Sequence, residues 1–242
     1  MYQIKFYKGD YSARQRAANA DGCAAYIEHH FNSSAGTAGN YAAVIVGANA
    51  SNTSKNWARW YAQAVAHAFG IGLGGEQGVV VGGFGGRGDG NVKLTRMPAI
   101  LVEPLFANNP AHADWIRSRA GQERLAHILA DSIQRCFPDG GLIGFSVGHK
   151  YKTSSPNDRG AAVYGGGTEA ECAEAVLRVA AELLQDMPVA TARAFAVQIG
   201  NREVWRYEAD PDAIVRWDET RGILFIDEPG ALEGGVTTTP RP

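Results

Sequence analysis

Segments with the apolar pattern of buried strands alternate along most of this chain with segments of helical spacing. The strand-like runs are Ala24 to Ile27, Ala42 to Val46, Gly78 to Val81, Ala99 to Val102 and Leu142 to Val147. Helical patterns cover Ser51 to Phe69, Ala111 to Phe137 as one helix or two, and Thr168 to Leu184. This alternation predicts a three-layer α/β/α fold, in which helices cover both faces of a mixed, mostly parallel sheet.

The end of the chain has a different pattern. Residues Phe195 to Ile226 predict a small β-rich element, with strands on either side of a short helical stretch from Asp210 to Trp217. We therefore expect a main domain over residues 1–190, an appended β-rich element over 191–232 and a frayed tail over 233–242.

Composition excludes several classes of protein. Of 242 residues, 45% are hydrophobic and 20% are charged, as in ordinary globular proteins. The net charge of -2 gives no reason to expect nucleic acid or an anionic membrane as partner. No run reaches the roughly 18 apolar residues of a membrane span.

The opening MYQIKFYKGD lacks the apolar core of a signal peptide, so we expect synthesis in the cytoplasm and action elsewhere only after release or export. Oligomeric state is not indicated.

Polar residues with metal-binding chemistry follow three of the strand-like runs. His30 follows the first run, Glu103 closes the run from Ala99, and His149 follows the last run after Gly148. In open α/β sheets, ligands gather at the carboxyl ends of the strands. With Glu169 at the start of the last helix, these residues form a His, Glu, His set with one spare carboxylate, which is typical of a zinc hydrolase.

Each of these residues also has a purely structural explanation. A histidine at a strand end can simply be hydrogen-bonded, and Glu103 can form an ion pair with Arg96. Glu169 can stabilise its helix through the dipole. His29 competes with His30 for the site, but neighbours on a strand point to opposite faces, so only one of them can reach it.

Four stretches of the chain resemble the zinc-dependent N-acetylmuramoyl-L-alanine amidases, and the phage endolysin branch is the most similar. VGH followed by DRGAA resembles the opening strand and loop of that family, and GGGTEAECAEAVL resembles its first helix. RQRAANADGCAAYIEHHFNSS and MPAILVEPLFANN resemble two of its later motifs. The register of the former motif, counted from Asn19, places the family's histidine on His30.

The resemblance implies an activity and the residues that perform it. It implies three zinc ligands, namely His30, His149 and Glu169. It makes Glu103 the catalytic residue, and we expect Asn32 and Arg96 to bind substrate. The implied reaction is hydrolysis of the amide between N-acetylmuramic acid and L-alanine in peptidoglycan, with Zn²⁺ as cofactor.

The order of the motifs departs from that of the family. The opening motifs lie in residues 141–190, after the later motifs in 1–140, as in a circular permutation. Such a rearrangement is tolerated where native termini lie close together, and PDGG at Pro138 to Gly141 would form the new joint. We therefore expect the strand from Leu142 to lie inside the sheet formed by the first half. A second departure is Lys150-Tyr151, where the family has two glycines.

Two other functions fit the same residues. A zinc peptidase or amidohydrolase acting on a free peptide or a small amide would use the same four side chains. A non-catalytic peptidoglycan-binding or virion structural protein would keep the fold without binding zinc.

Overall fold

The computed structural model describes residues 1–185 in full, together with the backbone of Asp186 and of four strands at 193–199, 202–209, 214–218 and 223–227. The chain divides into two compact units, Met1–Val189 and Ala190–Pro242.

The described part of the first unit contains seven strands and five helices. The strands are β1 (Tyr2–Phe6), β2 (Ala25–His29), β3 (Tyr41–Val46), β4 (Gly72–Leu73), β5 (Val79–Val81), β6 (Ala99–Glu103) and β7 (Gly141–Val147). The helices are α1 (Tyr11–Asp21), α2 (Asn52–Phe69), α3 (Pro110–Arg117), α4 (Arg119–Cys136) and α5 (Glu169–Asp186). A short 3-10 turn spans Asp89–Asn91.

The seven strands form one sheet in the order β1-β7-β2-β6-β3-β4, with β5 also paired to β3. Strands β1, β7, β2 and β6 run parallel to one another, and β3 is antiparallel to β6. The predicted mixed, mostly parallel sheet is therefore confirmed. Strand β7 is the last of these seven strands in sequence, yet it lies between β1 and β2, because Phe145 pairs with both Phe6 and Ile27.

Helices cover both faces of this sheet. On one face, α2, α4 and α5 bury a large apolar core, to which α2 contributes Trp57, Tyr61 and Val65 at helical spacing. Each such side chain contributes about 1.5–3 kcal/mol by leaving water. On the other face, α1 and the segment around Val92 cover a smaller cluster that includes Tyr26.

Local hydrogen bonds define where the helices begin. The Ser51 hydroxyl accepts from the Ser54 backbone N–H at 3.2 Å, so Ser51 is the N-cap of α2. The predicted helical region from Ala111 is two helices, because Ser118 ends α3 in extended conformation and caps α4 through Gly121.

Strands β1 and β4 and helix α1 were not predicted from the sequence, and the prediction for one later segment is wrong. Helix α1 lacks a clear apolar stripe, since it buries Arg14 and Gln15. The helix expected over Asp210–Trp217 is wrong from Ile214 onward, because Ile214–Asp218 is a strand paired antiparallel with Ile223–Asp227. Residues 210–213 and the expected tail at 233–242 lie outside the described residues.

Two antiparallel strand pairs make up what is described of the second unit. Besides the pair just given (β10 and β11), β8 (Arg193–Ile199) pairs with β9 (Arg202–Ala209) across an irregularity at Val197/Gln198. Across the described residues of the whole chain, no helix has the length and apolar character needed to cross a membrane.

Candidate metal centre and active site

Three parallel strands end at the same edge of the sheet and deliver polar residues there. His29, the last residue of β2, pairs with Val102 of β6 and Val147 of β7, so the three strands end level with one another. The next residues along them, His30 and Glu103, line one cavity of about 430 Å³. His149, which follows β7, and Glu169, the first residue of α5, line the same cavity.

Of the two adjacent histidines, His30 faces this cavity and His29 does not. His29 is fully buried against Phe31, with ring centroids 5.0 Å apart. Neither of its ring nitrogens has a hydrogen-bond partner among the residues described. Burial, with a smaller effect of nearby His30, lowers the pKa of His29 to about 3. His29 is therefore a neutral packing residue at ordinary pH.

His30, His149 and Glu169 bring three donor atoms together. Oε1 of Glu169 lies 2.9 Å from Nδ1 of His30 and 3.4 Å from Nε2 of His149. All three donor atoms lie within 4.8 Å of one another. Ligands of a tetrahedral zinc ion, at bond lengths of about 2.0–2.1 Å, lie roughly 3.4 Å apart. Two imidazole nitrogens and one carboxylate oxygen are donors that suit zinc, and the three atoms lie close enough together to bind one ion.

Gly148 permits the close approach of the two histidines. A side chain at this position would place its first carbon 2.5 Å from Cε1 of His30. The Gly148 backbone N–H also donates to the carbonyl of His29 at 2.9 Å, which continues the β2–β7 pairing past the end of the strand. A glycine at this position thus leaves room for the His30 ring beside the turn that carries His149.

A buried arginine holds the turn that carries His149. Nη1 of Arg14 donates to the Val147 carbonyl at 2.7 Å, and Nη2 donates to the Lys150 carbonyl. His149 and Tyr151 both have left-handed backbone conformation, with φ of 60° and 66°. Residues other than glycine rarely adopt this conformation. The turn therefore keeps a glycine-like shape at Tyr151, and the contacts of Arg14 stabilise it.

Glu169 is held by contacts outside its own helix. Its carboxylate accepts from the backbone N–H of Ala161 at 2.9 Å and of Phe31 at 3.2 Å. Burial alone would raise the pKa of Glu169, but hydrogen bonds from His149 and His30 hold it well below its usual range. The carboxylate is therefore ionised and directed at the two histidines.

The start of α5 is capped by other residues. Glu171 accepts from the Thr168 backbone N–H at 3.1 Å, and the Thr168 hydroxyl accepts from the Glu171 N–H at 3.4 Å. This reciprocal pair satisfies the helix start. Helix capping therefore does not account for the inward orientation of the Glu169 carboxylate.

Each histidine of the cluster has a carboxylate on its outer nitrogen. Nδ1 of His149 lies 2.9 Å from Oδ1 of Asp158, and Nε2 of His30 lies 2.8 Å from Oε1 of Glu28. Burial opposes charge on His30, but its bonds to Glu169 and Glu28 raise its pKa to about 10. Carboxylates on the outer nitrogens are the usual surroundings of metal-binding histidines.

Glu103 lies at the end of β6, on the wall of the same cavity. Burial raises the pKa of Glu103. The nearby positive charge of His30 partly offsets that rise, and the negative charge of Glu169 increases it. Glu103 forms no ion pair with Arg96 or with any other described residue. A carboxylate with a raised pKa and no fixed partner is suited to exchanging protons.

The two residues expected to bind substrate are in different places. Asn32 lines the site cavity, and its Nδ2 atom is buried with no hydrogen-bond partner in the described part of the chain. Arg96 instead lines a separate cavity of about 280 Å³ beside Ser51, and its backbone N–H donates to Asn19. The geometry therefore gives no support to Arg96 as a substrate-binding residue.

Sequence reasoning missed several residues of the site. Tyr11 and Lys152 also line the cavity, on segments whose position depends on long-range packing. Glu28 had a detectable pattern, since it lies two residues before His30 and strand residues two apart share a face. Asp158 stood in the DRGAA motif but was given no role of its own.

A family model described as N-acetylmuramoyl-L-alanine amidase (Amidase_3) matches residues 4–135. This stretch contains His30 and Glu103 but ends before His149 and Glu169. No curated protein matches the chain.

Several solved structures are similar to part of the chain. The catalytic domain of the N-acetylmuramoyl-L-alanine amidase CwlV from Bacillus (Paenibacillus) polymyxa var. colistinus is 24% identical, with a TM-score of 0.43 over 52% of this chain and 64% of that one. An amidase from Clostridium difficile 630 is 18% identical, with a TM-score of 0.44 over 51% and 63%. The amidase Ami1 from Mycobacterium smegmatis is 19% identical, with a TM-score of 0.41 over 52% and 59%. The chain thus spans less than two thirds of each.

Proposed function

The chain belongs to the N-acetylmuramoyl-L-alanine amidase family, and on this basis we propose that it is a zinc-dependent enzyme acting on the bacterial cell wall. The proposed reaction is hydrolysis of the amide between N-acetylmuramic acid and the L-alanine of the stem peptide. Its substrate is therefore peptidoglycan.

One observation carries this proposal. His30 lies inside the stretch that matches the family, whereas His149 and Glu169 lie beyond it. All three nevertheless present metal-binding atoms within 4.8 Å of one another, beside Glu103. Chance motifs scattered over two parts of a chain would have no reason to converge in this way.

Each residue of the site would have its own role in the proposed hydrolysis. His30, His149 and Glu169 would hold zinc, which when bound lowers the pKa of a water molecule and polarises the scissile carbonyl. Glu103 would accept a proton from water in the cavity and pass it to the nitrogen of the departing L-alanine. Its raised pKa supports both steps, because the carboxylate must take up a proton and later release it. The unpartnered Nδ2 of Asn32 is available to donate to a substrate carbonyl.

We also propose that the chain is a circularly permuted member of the family. Strand β7, which begins the segment with the family's opening motifs, lies between β1 and β2. At the expected joint, the Gly141 backbone N–H donates to the Met1 carbonyl at 3.1 Å, and the Gly140 N–H donates to Phe137 at 3.0 Å. A tight turn at this point supports a short connection from α4 into β7.

Digestion of purified peptidoglycan tests the reaction. The protein should generate new L-alanine amino termini, and Glu103→Gln should generate few. Hydrolysis of free peptides or small amides without cleavage of peptidoglycan would favour the zinc peptidase or amidohydrolase alternative. Binding to peptidoglycan without any hydrolysis, in protein that contains no zinc, would favour a non-catalytic role.

A further inference from the structure

A second buried carboxylate lies directly behind the metal-binding cluster. Glu28 is fully buried in β2, two residues before His30 and on the same face of the strand. Its Oε1 atom accepts from Nε2 of His30 at 2.8 Å and from Nδ2 of Asn91 at 2.5 Å. Its Oε2 atom accepts from the Ser146 hydroxyl at 2.9 Å. Neither the proposed hydrolysis nor the helix and sheet hydrogen bonds use this side chain.

A buried arginine lies close behind Glu28 and is linked to it through a serine. Ser146 is its direct neighbour on β7, and the same hydroxyl accepts from Nη1 of Arg14 at 2.7 Å. Arg14 is itself fully buried, so its positive charge offsets the negative charge of Glu28 within the protein. An unpaired carboxylate would be unstable at such a position. A continuous chain of contacts therefore runs from Arg14 through Ser146 and Glu28 to His30.

From these contacts we propose that Glu28 is a positioning residue that fixes the tautomer and orientation of His30 for metal binding. The inference rests on the zinc site of the proposed function. A carboxylate oxygen can only accept from an imidazole N–H, so Glu28 holds a proton on Nε2 of His30. In the metal-free site Nδ1 also donates, to Glu169. Loss of that Nδ1 proton on metal binding, with Nε2 still protonated, leaves the lone pair of Nδ1 directed at Glu169 and His149, where the metal would lie.

The two histidines show why such control is needed. His30 presents Nδ1 to the cluster, whereas His149 presents Nε2. Opposite tautomers are therefore required of two rings whose centroids lie 4.9 Å apart. The outer carboxylates supply this difference, Glu28 on Nε2 of His30 and Asp158 on Nδ1 of His149. Carboxylate contacts of this kind also make the imidazole a stronger metal ligand.

Zinc affinity of the full chain, measured by competition with a chromophoric chelator, tests the role of Glu28. Glu28→Gln keeps the size of the side chain but removes its charge, and we expect the zinc dissociation constant to rise about 10-fold to 100-fold. The matched control is Glu182→Gln, an exposed position on α5, which should leave the constant unchanged. In cobalt-substituted protein, the visible absorption bands should shift in Glu28→Gln and remain unchanged in Glu182→Gln.

A milder variant covers the case in which Glu28→Gln does not fold. Ser146→Ala removes one bond to Glu28 while Arg14 keeps its bond to the Val147 carbonyl. We expect it to fold and to weaken zinc binding less than Glu28→Gln does. A folded Glu28→Gln protein with wild-type zinc affinity and an unchanged cobalt spectrum would overturn the inference. If Glu28→Gln does not fold, wild-type zinc affinity in Ser146→Ala would overturn it instead. Because the measurement needs no substrate, a weakened zinc site in a protein without amidase activity would support the inference and contradict the proposed function.

Discussion

The imidazole rings of His30 and His149 lie 4.9 Å apart, with their planes at 76°, although the two residues come from opposite halves of the chain. The pairing of β7 with β2 produces this contact, because it brings the ends of the two strands level. Gly148 then allows the rings to approach, and Glu169 lies between their inner nitrogens. The topology of the sheet and the proposed metal site are thus linked.

Removal of any one of the three proposed ligands should abolish stoichiometric zinc binding. His30→Ala, His149→Ala and Glu169→Ala each leave only two of the three donors in the cluster. Because His29 is buried outside the cavity, His29→Ala should lower stability while the protein still binds zinc. Metal analysis of protein purified without chelator measures both outcomes. Zinc retained at one equivalent in His149→Ala would show that the ion binds elsewhere.

Glu103→Gln should keep zinc and lose most of its activity. The side chain is not among the three clustered donors, so the metal content should remain at one equivalent. Loss of a general base typically lowers the rate by about 100-fold to 10,000-fold. The rate of L-alanine amino-terminus release from peptidoglycan gives the comparison, with exposed Glu76→Gln as the control. A glutamine variant with full activity would exclude Glu103 as the base.

The raised pKa of Glu103 predicts how stability changes with pH. Because burial raises the pKa of the folded state above the ordinary value of 4.5, ionisation favours the unfolded chain. The contribution of Glu103 to stability is therefore present below that value and is lost as pH rises through the folded-state pKa. In metal-free protein, Glu103→Gln should melt at a higher temperature than the wild type at pH 7, and the two should converge at acid pH. Equal melting temperatures at pH 7 would contradict this.

Arg14→Lys should weaken both the fold and the metal site. The guanidinium donates to three carbonyls and a hydroxyl, and a single ammonium group cannot reproduce this arrangement. We expect the free energy of unfolding to fall by about 2–4 kcal/mol, since hydrogen bonds to buried charged groups are strong. Zinc affinity should fall as well, because the turn carrying His149 loses its support.

Urea denaturation of metal-free protein measures the loss of stability in Arg14→Lys. The matched control is Arg119→Lys, whose side chain is 91% exposed and pairs with Glu123. Its effect should stay within about 0.5 kcal/mol. If Arg14→Lys and Arg119→Lys were equally stable, Arg14 would not support the turn.

The sequence was sufficient to predict most of the sheet and to single out the residues that meet at its edge. Apolar runs ending in a histidine or a glutamate identify strand ends, and parallel strands bring such ends together. Helix α1 could not be found in this way, because Arg14 and Gln15 are buried where an apolar stripe would be expected. Their partners are distant in sequence, for example Ser146 and the Gly90 carbonyl.

The position of Arg96 could not be predicted for a related reason. Arg96 was expected to bind substrate, or otherwise to form an ion pair with Glu103, but the segment before β6 packs against α1. There the Arg96 backbone N–H donates to Asn19 at 2.7 Å, and the Leu94 N–H donates to Gln15. Side chains of a helix that the pattern does not reveal thus determine where this loop lies.

Crystals of the full chain grown with zinc, with diffraction recorded on both sides of the zinc absorption edge, would test the central claim most directly. We expect one strong anomalous peak bonded to Nδ1 of His30, Nε2 of His149 and a carboxylate oxygen of Glu169. A peak at any other position, or no peak while His30 remains hydrogen-bonded to Glu169, would contradict the proposed metal site.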